Sequence, residues 1–477
     1  MANRPSKLTR GYTQFQSVAL PERWPLVTDQ ETRSAEALEL NKDARLINCF
    51  AEYNPKTQEW EVEKRPAYYQ GSLLPGGGNG LGMYSWNNAL YSVSGSLLFK
   101  DFTPFVNVLD NGSFYQFQQV LGTPRLVLKN RSQGWYTDGT TLTQITDPDY
   151  PATTVPGMAY LDGTLYVMTP NAAIQGSAID DPTSWDPVNT IIARNEPDLG
   201  IGLIKHQNYV VALKQWSTQA FENVGNPTGS PLARVDGAMY YYGCQNGNSI
   251  TEIDGEHFWI SRNKSAGAQA VKLSQLQLTV ISTPVIDRIL TRFSNGAFGY
   301  SVKICGHKFW ILTIGSTFSL VYDVDQKLWY RWTDYTGNAP FPMSASSYDS
   351  VGVTYVLGQS DSRFYKLEDS FTQTTDNGLI YPVDIYTGNF DFGVDRRKHL
   401  NVKTFDTDVV PGSELLVRCS DNDYKDYTNF RKVDLSQNRP QLVNCGSFYK
   451  RSYHYRHQKA TPFRISSVGL QIDIGTL

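Results

Sequence analysis

One local pattern returns along the middle of this chain, and it constrains the fold more than any other feature. A few alternating residues lead into a tight turn, and a strand of alternating apolar residues follows. Tyr84-Ser85-Trp86 turns at Asn87-Asn88 into Ala89-Leu90-Tyr91-Ser92-Val93. Leu126-Val127-Leu128 turns through 131–134 into Trp135-Tyr136, and Met158-Ala159-Tyr160 turns at Asp162-Gly163 into Leu165-Tyr166-Val167. Leu203-Ile204 turns at Gln207-Asn208 into Tyr209-Val210-Val211, and Glu252-Ile253 turns at Asp254-Gly255 into His257-Phe258-Trp259-Ile260. Val302-Lys303-Ile304 turns at Gly306-His307 into Phe309-Trp310-Ile311-Leu312, and Ala345-Ser346 turns near Ser350 into Val353 and Tyr355-Val356. Asp-Gly and Asn turns accept positive φ, whose twist matches paired strands, so each instance reads as a β-hairpin.

The hairpins recur about every 45 residues, the length of a four-stranded propeller blade. A blade buries its faces only on its neighbours, so such a repeat must close into a ring. The expected fold is therefore all-β: a β-propeller of six or seven blades, with a further antiparallel, sandwich-like domain built from the terminal regions. A row of sandwiches with unrelated hairpins is the competing arrangement, and the regular spacing favours the propeller. With 13% aromatic residues, 38 Gly and 24 Pro, the composition suits half-buried pleated surfaces joined by turns.

Three parts are expected: an N-terminal arm and β element over 1–75, which would dock to an adaptor or a neighbour, the propeller over 76–375, and a C-terminal β domain over 376–477. In the first, Phe50-Ala51-Glu52-Tyr53 and Trp60-Glu61-Val62 pair about Asn54-Pro55-Lys56, and 26–45 reads as a helix. The glycine tract at 76–80 marks the boundary; no helical pattern follows it, so it is a linker and not a phosphate cradle. The segments 171–189 and 224–231 read as long loops on a ring face. In the last part, Val383-Asp384-Ile385-Tyr386, Phe390-Asp391-Phe392-Gly393, 403–410, Glu414-Leu415-Leu416-Val417-Arg418 and Phe430-Arg431-Lys432-Val433 read as strands. A terminal pair of strands follows at 463–465 and 468–474.

The net charge of −3 lacks the Lys/Arg excess of a tight nucleic-acid binder. The five cysteines (49, 244, 305, 419 and 445) are scattered and form no C-x-x-C pair, so reduced structural thiols are expected. Met1-Ala2-Asn3-Arg4-Pro5 leads into no apolar stretch, and no run is long enough to span a bilayer, so neither a signal peptide nor a membrane anchor is expected. No hydrolase, zincin, Walker or dinucleotide motif is present. His454 and His457, three apart, do not face one way on a strand. The segments 180–185 and 420–427 resemble the Asp-box turn of sialidase propellers, which is structural where it occurs. No catalytic, cofactor or metal residue is expected, and the chain reads as a non-enzyme. A receptor- or glycan-binding propeller and a propeller glycosidase are the rivals.

One charge feature stands out. From Leu435 to Ile472 there is no Asp or Glu, while basic and tyrosine side chains interleave. Arg396, Arg397, Lys398, Lys450, Arg451, Arg456, Lys459 and Arg464 form a candidate basic patch facing DNA or an acidic partner. A charged, protected sheet edge is the plain alternative.

Four places resemble one family. They are Leu46-Ile47-Asn48-Cys49-Phe50-Ala51-Glu52 with Lys64-Arg65-Pro66; Asn195-Glu196-Pro197-Asp198-Leu199-Gly200-Ile201-Gly202 leading to Gln219-Ala220-Phe221; Leu320-Val321-Tyr322-Asp323 with Trp329-Tyr330-Arg331-Trp332; and Asn389-Phe390-Asp391-Phe392-Gly393 with Arg396-Arg397-Lys398 and the terminal strands. Their order resembles the tail hub, or packaged-DNA stabilisation proteins, of short-tailed podovirus-type phages. The resemblance implies a propeller assembled with itself as a hexameric ring, joining a portal-adaptor or head-completion protein to a tail needle, fibres or spikes. It also implies a virion tail component assembled in the host cytoplasm, transient non-specific contact with double-stranded DNA in the lumen, and no cofactor.

Overall fold

The computed structural model describes residues 22–27, 44–73, 78–265, 267–293, 296–361 and 363–474. Seven four-stranded antiparallel units follow one another, over 80–107, 116–144, 159–192, 200–240, 251–280, 298–332 and 343–368. They are the blades of a β-propeller, numbered here one to seven. The turn chemistry explains the hairpins. Asn87 and Asn88 sit at φ 50° and 61°, Asp162-Gly163 at 49° and 86°, Asp254-Gly255 at 51° and 80°, and Cys305-Gly306 at 55° and 78°. Two successive positive-φ residues give the mirror-image turn whose twist suits a tight hairpin. Six of the seven expected hairpins join the first and second strands of a blade. The exception is 131–134, which joins the second and third strands of blade two; its first hairpin turns at 121–124.

The seventh blade has only three local strands. Its outermost strand is Ala67–Leu73, paired antiparallel to Arg363–Glu368 with Glu368 opposite Ala67. The ring is closed by a strand from almost 300 residues earlier, so the boundary expected at 76 falls inside the closed ring. Large apolar side chains fill the spaces between blades. Trp310, fully buried, packs with Phe258 at 5.8 Å between blades five and six.

Beyond blade six the sheet continues. Arg45–Ile47 adds alongside Leu328–Trp332, followed by Val383–Tyr386, Ser452–His457, Glu414–Ser420 and Arg431–Asp434. A second sheet is built from Cys49–Asn54, Glu59–Lys64, Arg464–Ile474, Lys398–Thr407 and Gln441–Val443. The two face each other as a sandwich formed by both termini, with Phe50, Val62, Phe405, Leu415, Tyr455 and Ile465 inside. The same core runs on into Phe309, Tyr330 and Trp332 of the propeller, so the two parts share one apolar interior. The expected hairpin pairs Tyr53 with Trp60.

Four local expectations are corrected. The segment 171–189 is mostly the hairpin Ala173–Ala178 with Asp181–Ile192, not a loop. Residues 390–393 form a turn with a single bridge, Phe390 to Arg451, not a strand. The terminal strand pair is one long strand, Arg464–Ile474. The helix expected over 26–45 lies mostly outside the described residues; Leu26 and Val27 are not helical, and Arg45 opens a strand.

One helix was not anticipated. Pro284–Phe293 follows blade five and buries Ile286, Ile289 and Leu290 against the Trp310 cluster. Pro284 suits a first helical position, Thr283 Oγ1 accepts from the Ile286 N–H, and Asp287 sits near the positive end of the helix.

Candidate functional site

The inner strands of the blades surround a cavity of about 640 Å³. Glycines set its narrow end. A Cβ on Gly157 would fall 2.0 Å from the Leu203 carbonyl oxygen, and one on Gly247 would fall 2.4 Å from that of Ile201. Adjacent inner strands therefore approach backbone to backbone, which only a missing side chain permits. At this end Phe114, just before blade two, meets Phe298, at the start of blade six, with ring centroids 5.0 Å apart. Those blades stand across the ring from each other, so the aromatic pair closes the channel. A B-DNA major groove alone is about 12 Å wide; a duplex cannot thread this opening.

The other end carries Tyr84, Lys205, Gln207 and Glu252 among its lining. Burial pushes the Glu252 carboxyl up, while Lys205 and Lys303 pull it down. Among the described residues the lining holds no arginine, so the three-arginine set of a sialidase is not assembled there. His454 and His457 serve the sandwich. His454 Nε2 donates to Asp384 at 2.6 Å, and His457 Nε2 bonds Ser413 and Thr461.

The eight basic residues do not form one patch. Lys398 is fully buried and donates to the carbonyls of Val394, Arg396 and Tyr449 at 2.6, 3.0 and 2.8 Å. Arg451 is buried too; it grips Asp421 with two bonds of 2.6 and 2.7 Å and donates to the Cys445 carbonyl. Arg456 grips Asp384 in the same forked way, at 2.6 and 3.0 Å. Lys459 pairs with Glu414 at 3.2 Å and Arg464 with Asp408 at 2.9 Å. Burial works to raise the Asp384 carboxyl, but the bonds from His454 and Arg456 outweigh it and hold it below the usual carboxylate range.

The acid-free stretch from 435 to 472 thus takes its counter-charges from strands elsewhere. Arg451 and Arg456 hold the sandwich together, so neutralising them takes the forked partner from Asp421, leaves Asp384 with His454 alone and damages the fold. Only Arg397 is exposed, donating to Ser447 Oγ, with Arg396 and Lys450 half-buried near it beside the exposed Tyr449.

The densest polar centre is one the sequence reading did not assign. Arg65 is fully buried where blade six, the ring-closing strand and the sandwich meet. Its Nε donates to Asn48 Oδ1 at 3.0 Å. Nη1 donates to the Pro66 carbonyl and Asp376 Oδ1, and Nη2 to the Thr333 carbonyl and Asp376 Oδ2. All five donors of the guanidinium are used. Tyr381 stacks on it at 3.9 Å and donates to its backbone carbonyl. Burial raises the Asp376 carboxyl, and Arg65 opposes that. With a forked partner that stays charged in proteins, we take the pair as ionised. Asn48, at φ 55°, bonds Thr333 and Pro382 from the other side. The Lys64-Arg65-Pro66 segment and the bend at Asn48, both within stretches that resemble the family, are the two halves of this junction.

No curated protein matches the sequence. Among solved structures, the WD40 repeats of RRP9 superpose with a TM-score of 0.42 at 9% identity, covering 64% of this chain and 99% of that one. YCF48 bound to D1 peptide gives 0.39 at 16% identity over 62% and 93%, and the computationally designed Ika8 protein gives 0.39 at 10% over 62% and 98%. The sequence matches one family description, Phage_stabilise, "Bacteriophage P22 Gp10, beta-propeller", over residues 72–369. That span runs from the last residues of the ring-closing strand to the end of blade seven, and this chain belongs to the phage-stabilisation family of the bacteriophage P22 Gp10 β-propeller.

Proposed function

We propose that this chain is a structural subunit of a phage tail hub or nozzle, which helps retain packaged DNA and forms the wall of its exit path. The observation that carries the proposal is the family match over residues 72–369, which takes in all seven blades except most of the ring-closing strand. Membership makes the chain a phage virion component with a tail and DNA-stabilisation role. The ring arrangement, the portal-side and needle-side partners and the part in ejection are our reading. The closed channel supports a wall: with Phe114 against Phe298, DNA would pass between subunits along the axis of their ring, and not through a propeller. A near-neutral chain suits a conduit that must release its cargo, because each phosphate neutralised adds affinity.

Particles assembled without this chain test the proposal. Heads should fill and then lose their DNA to added nuclease, with retention restored when the chain is supplied. Particles that keep their DNA and fail only to adsorb to cells would favour the receptor-binding rival instead.

A further inference from the structure

A second cavity, of about 410 Å³, lies on the sealed face between blades four and five. It is framed by Trp216, Tyr241 and Tyr242, with Glu196, Asn263 and Lys264 beside them. We propose that it is a binding site for a neutral hexopyranose saccharide, of the kind found in bacterial surface polysaccharides. This goes beyond the tail-hub reading and does not depend on it.

The frame is built in advance. The Trp216 main-chain N–H donates to Asp198 Oδ2 at 2.8 Å, which holds the turn that carries the indole, and the Arg262 guanidinium sits 5.1 Å from the centre of the Trp216 ring. The Tyr242 carbonyl accepts from Thr218 Oγ1 at 2.6 Å, and the Gly243 N–H donates to the Arg262 carbonyl at 3.0 Å. A Cβ on Gly243 would lie 2.3 Å from the Gln215 carbonyl oxygen, so the Tyr242 and Trp216 turns are pressed together. Tyr240 anchors its hydroxyl on the Leu276 carbonyl, while the next side chain, Tyr241, is 65% exposed. A large aromatic left in water at a rigid cleft marks a contact surface, and a site held in its bound shape loses little entropy on binding.

The lining chooses the ligand class. Aromatic faces are electron-rich and take the C–H face of a sugar ring, while the amide and carboxylate take hydroxyls. Glu196 and Lys264 are paired with each other at 3.1 Å, so the two lining charges cancel. That disfavours a phosphate, an acidic polymer or a quaternary ammonium, each of which needs an uncompensated charge.

The test is an array of neutral and acidic bacterial polysaccharides, together with single-stranded DNA, probed with the full chain and with Trp216→Ala and Tyr241→Ala. The wild type should bind at least one neutral glycan, and each variant should bind it at least tenfold more weakly. Tyr241→Ala should keep the wild-type melting temperature, and particles carrying it should keep their DNA. No glycan bound, binding that survives both substitutions, or binding only to acidic glycans or DNA would each overturn the proposal.

Discussion

Replacing Arg65 with alanine should destabilise this protein by about 3–5 kcal/mol, the cost of leaving one member of a buried ion pair alone. Asp376 would remain fully buried with its forked partner gone. Asn48 Oδ1 and the Thr333 and Pro66 carbonyls would each lose a donor. Lysine should rescue little, because one ammonium cannot reproduce a planar fork spread over four residues. Arg65 immediately precedes the strand that closes the ring, with only Pro66 between. The damage should therefore appear first as faster hydrogen exchange at 67–73 and 363–368. Replacing Asp376 with leucine in the Arg65→Met background should recover part of the loss, since the stranded charge is removed. Urea unfolding of the alanine, lysine and methionine variants and of the double variant measures this. A single-variant loss under about 1 kcal/mol would show that the junction is not what holds sandwich and ring together.

The second large effect is on pH. Burial pushes His257 down to about 3 and His457 to about 3, and burial with Arg418 and Arg456 nearby outweighs Asp384 to bring His454 to about 4. His206 is lowered by burial as well; its Nδ1 lies 3.3 Å from that of His257 across the seam between blades four and five. That pair can share one proton in a hydrogen bond, but two would face each other. In the unfolded chain each histidine titrates near about 6.5. Below that value the unfolded state binds more protons, so stability present above pH 6.5 is lost as pH falls toward 4 and 3. Each strongly depressed histidine should remove about 1.4 kcal/mol per pH unit over that range, or about 2 kcal/mol by pH 5.

His307 runs the other way. Burial lowers it, but Asp323 at 2.7 Å wins and raises it, so its contribution is complete below 6.5 and fades at higher pH. Chemical unfolding at pH 7 and pH 5 should show a marked loss at pH 5, and His257→Gln should flatten the slope. Equal stability at the two values would contradict the buried-neutral assignment.

What the sequence made legible was whatever is set by neighbours in the chain. Asn87-Asn88, Asp162-Gly163 and Asp254-Gly255 announce their turns because the turn itself demands positive φ. The hairpins bounded the blades at six or seven, and the structure has seven. Blade two was read one hairpin late because its first turn, Leu121-Gly122-Thr123-Pro124, carries no Asn-Gly or Asp-Gly signal. The helix Pro284–Phe293 had its marks, Thr283-Pro284 and apolar residues at 286, 289 and 290, but ten residues between two β blades are too few for a helical period to stand out.

What stayed hidden was set across distance. Nothing local in Ala67–Leu73 says that it completes a blade begun at Met343. Nothing local in the basic C-terminal stretch names Asp384, Asp421 or Glu414 as partners. A run without acids looked like an open patch, whereas folding brings the acids in from other strands. The Arg65 junction escaped for the same reason: its partners sit at 48, 333 and 376.

The central claim is that the propeller serves as wall and not as channel. Imaging the tail of the intact virion at a resolution that distinguishes blades tests it most directly. Several copies of the seven-bladed ring with its sandwich should surround the tail axis below the portal, with DNA density between subunits and none inside any propeller. Copies found only at the tips of peripheral fibres, or a duplex running through the opening that Phe114 and Phe298 close, would contradict it.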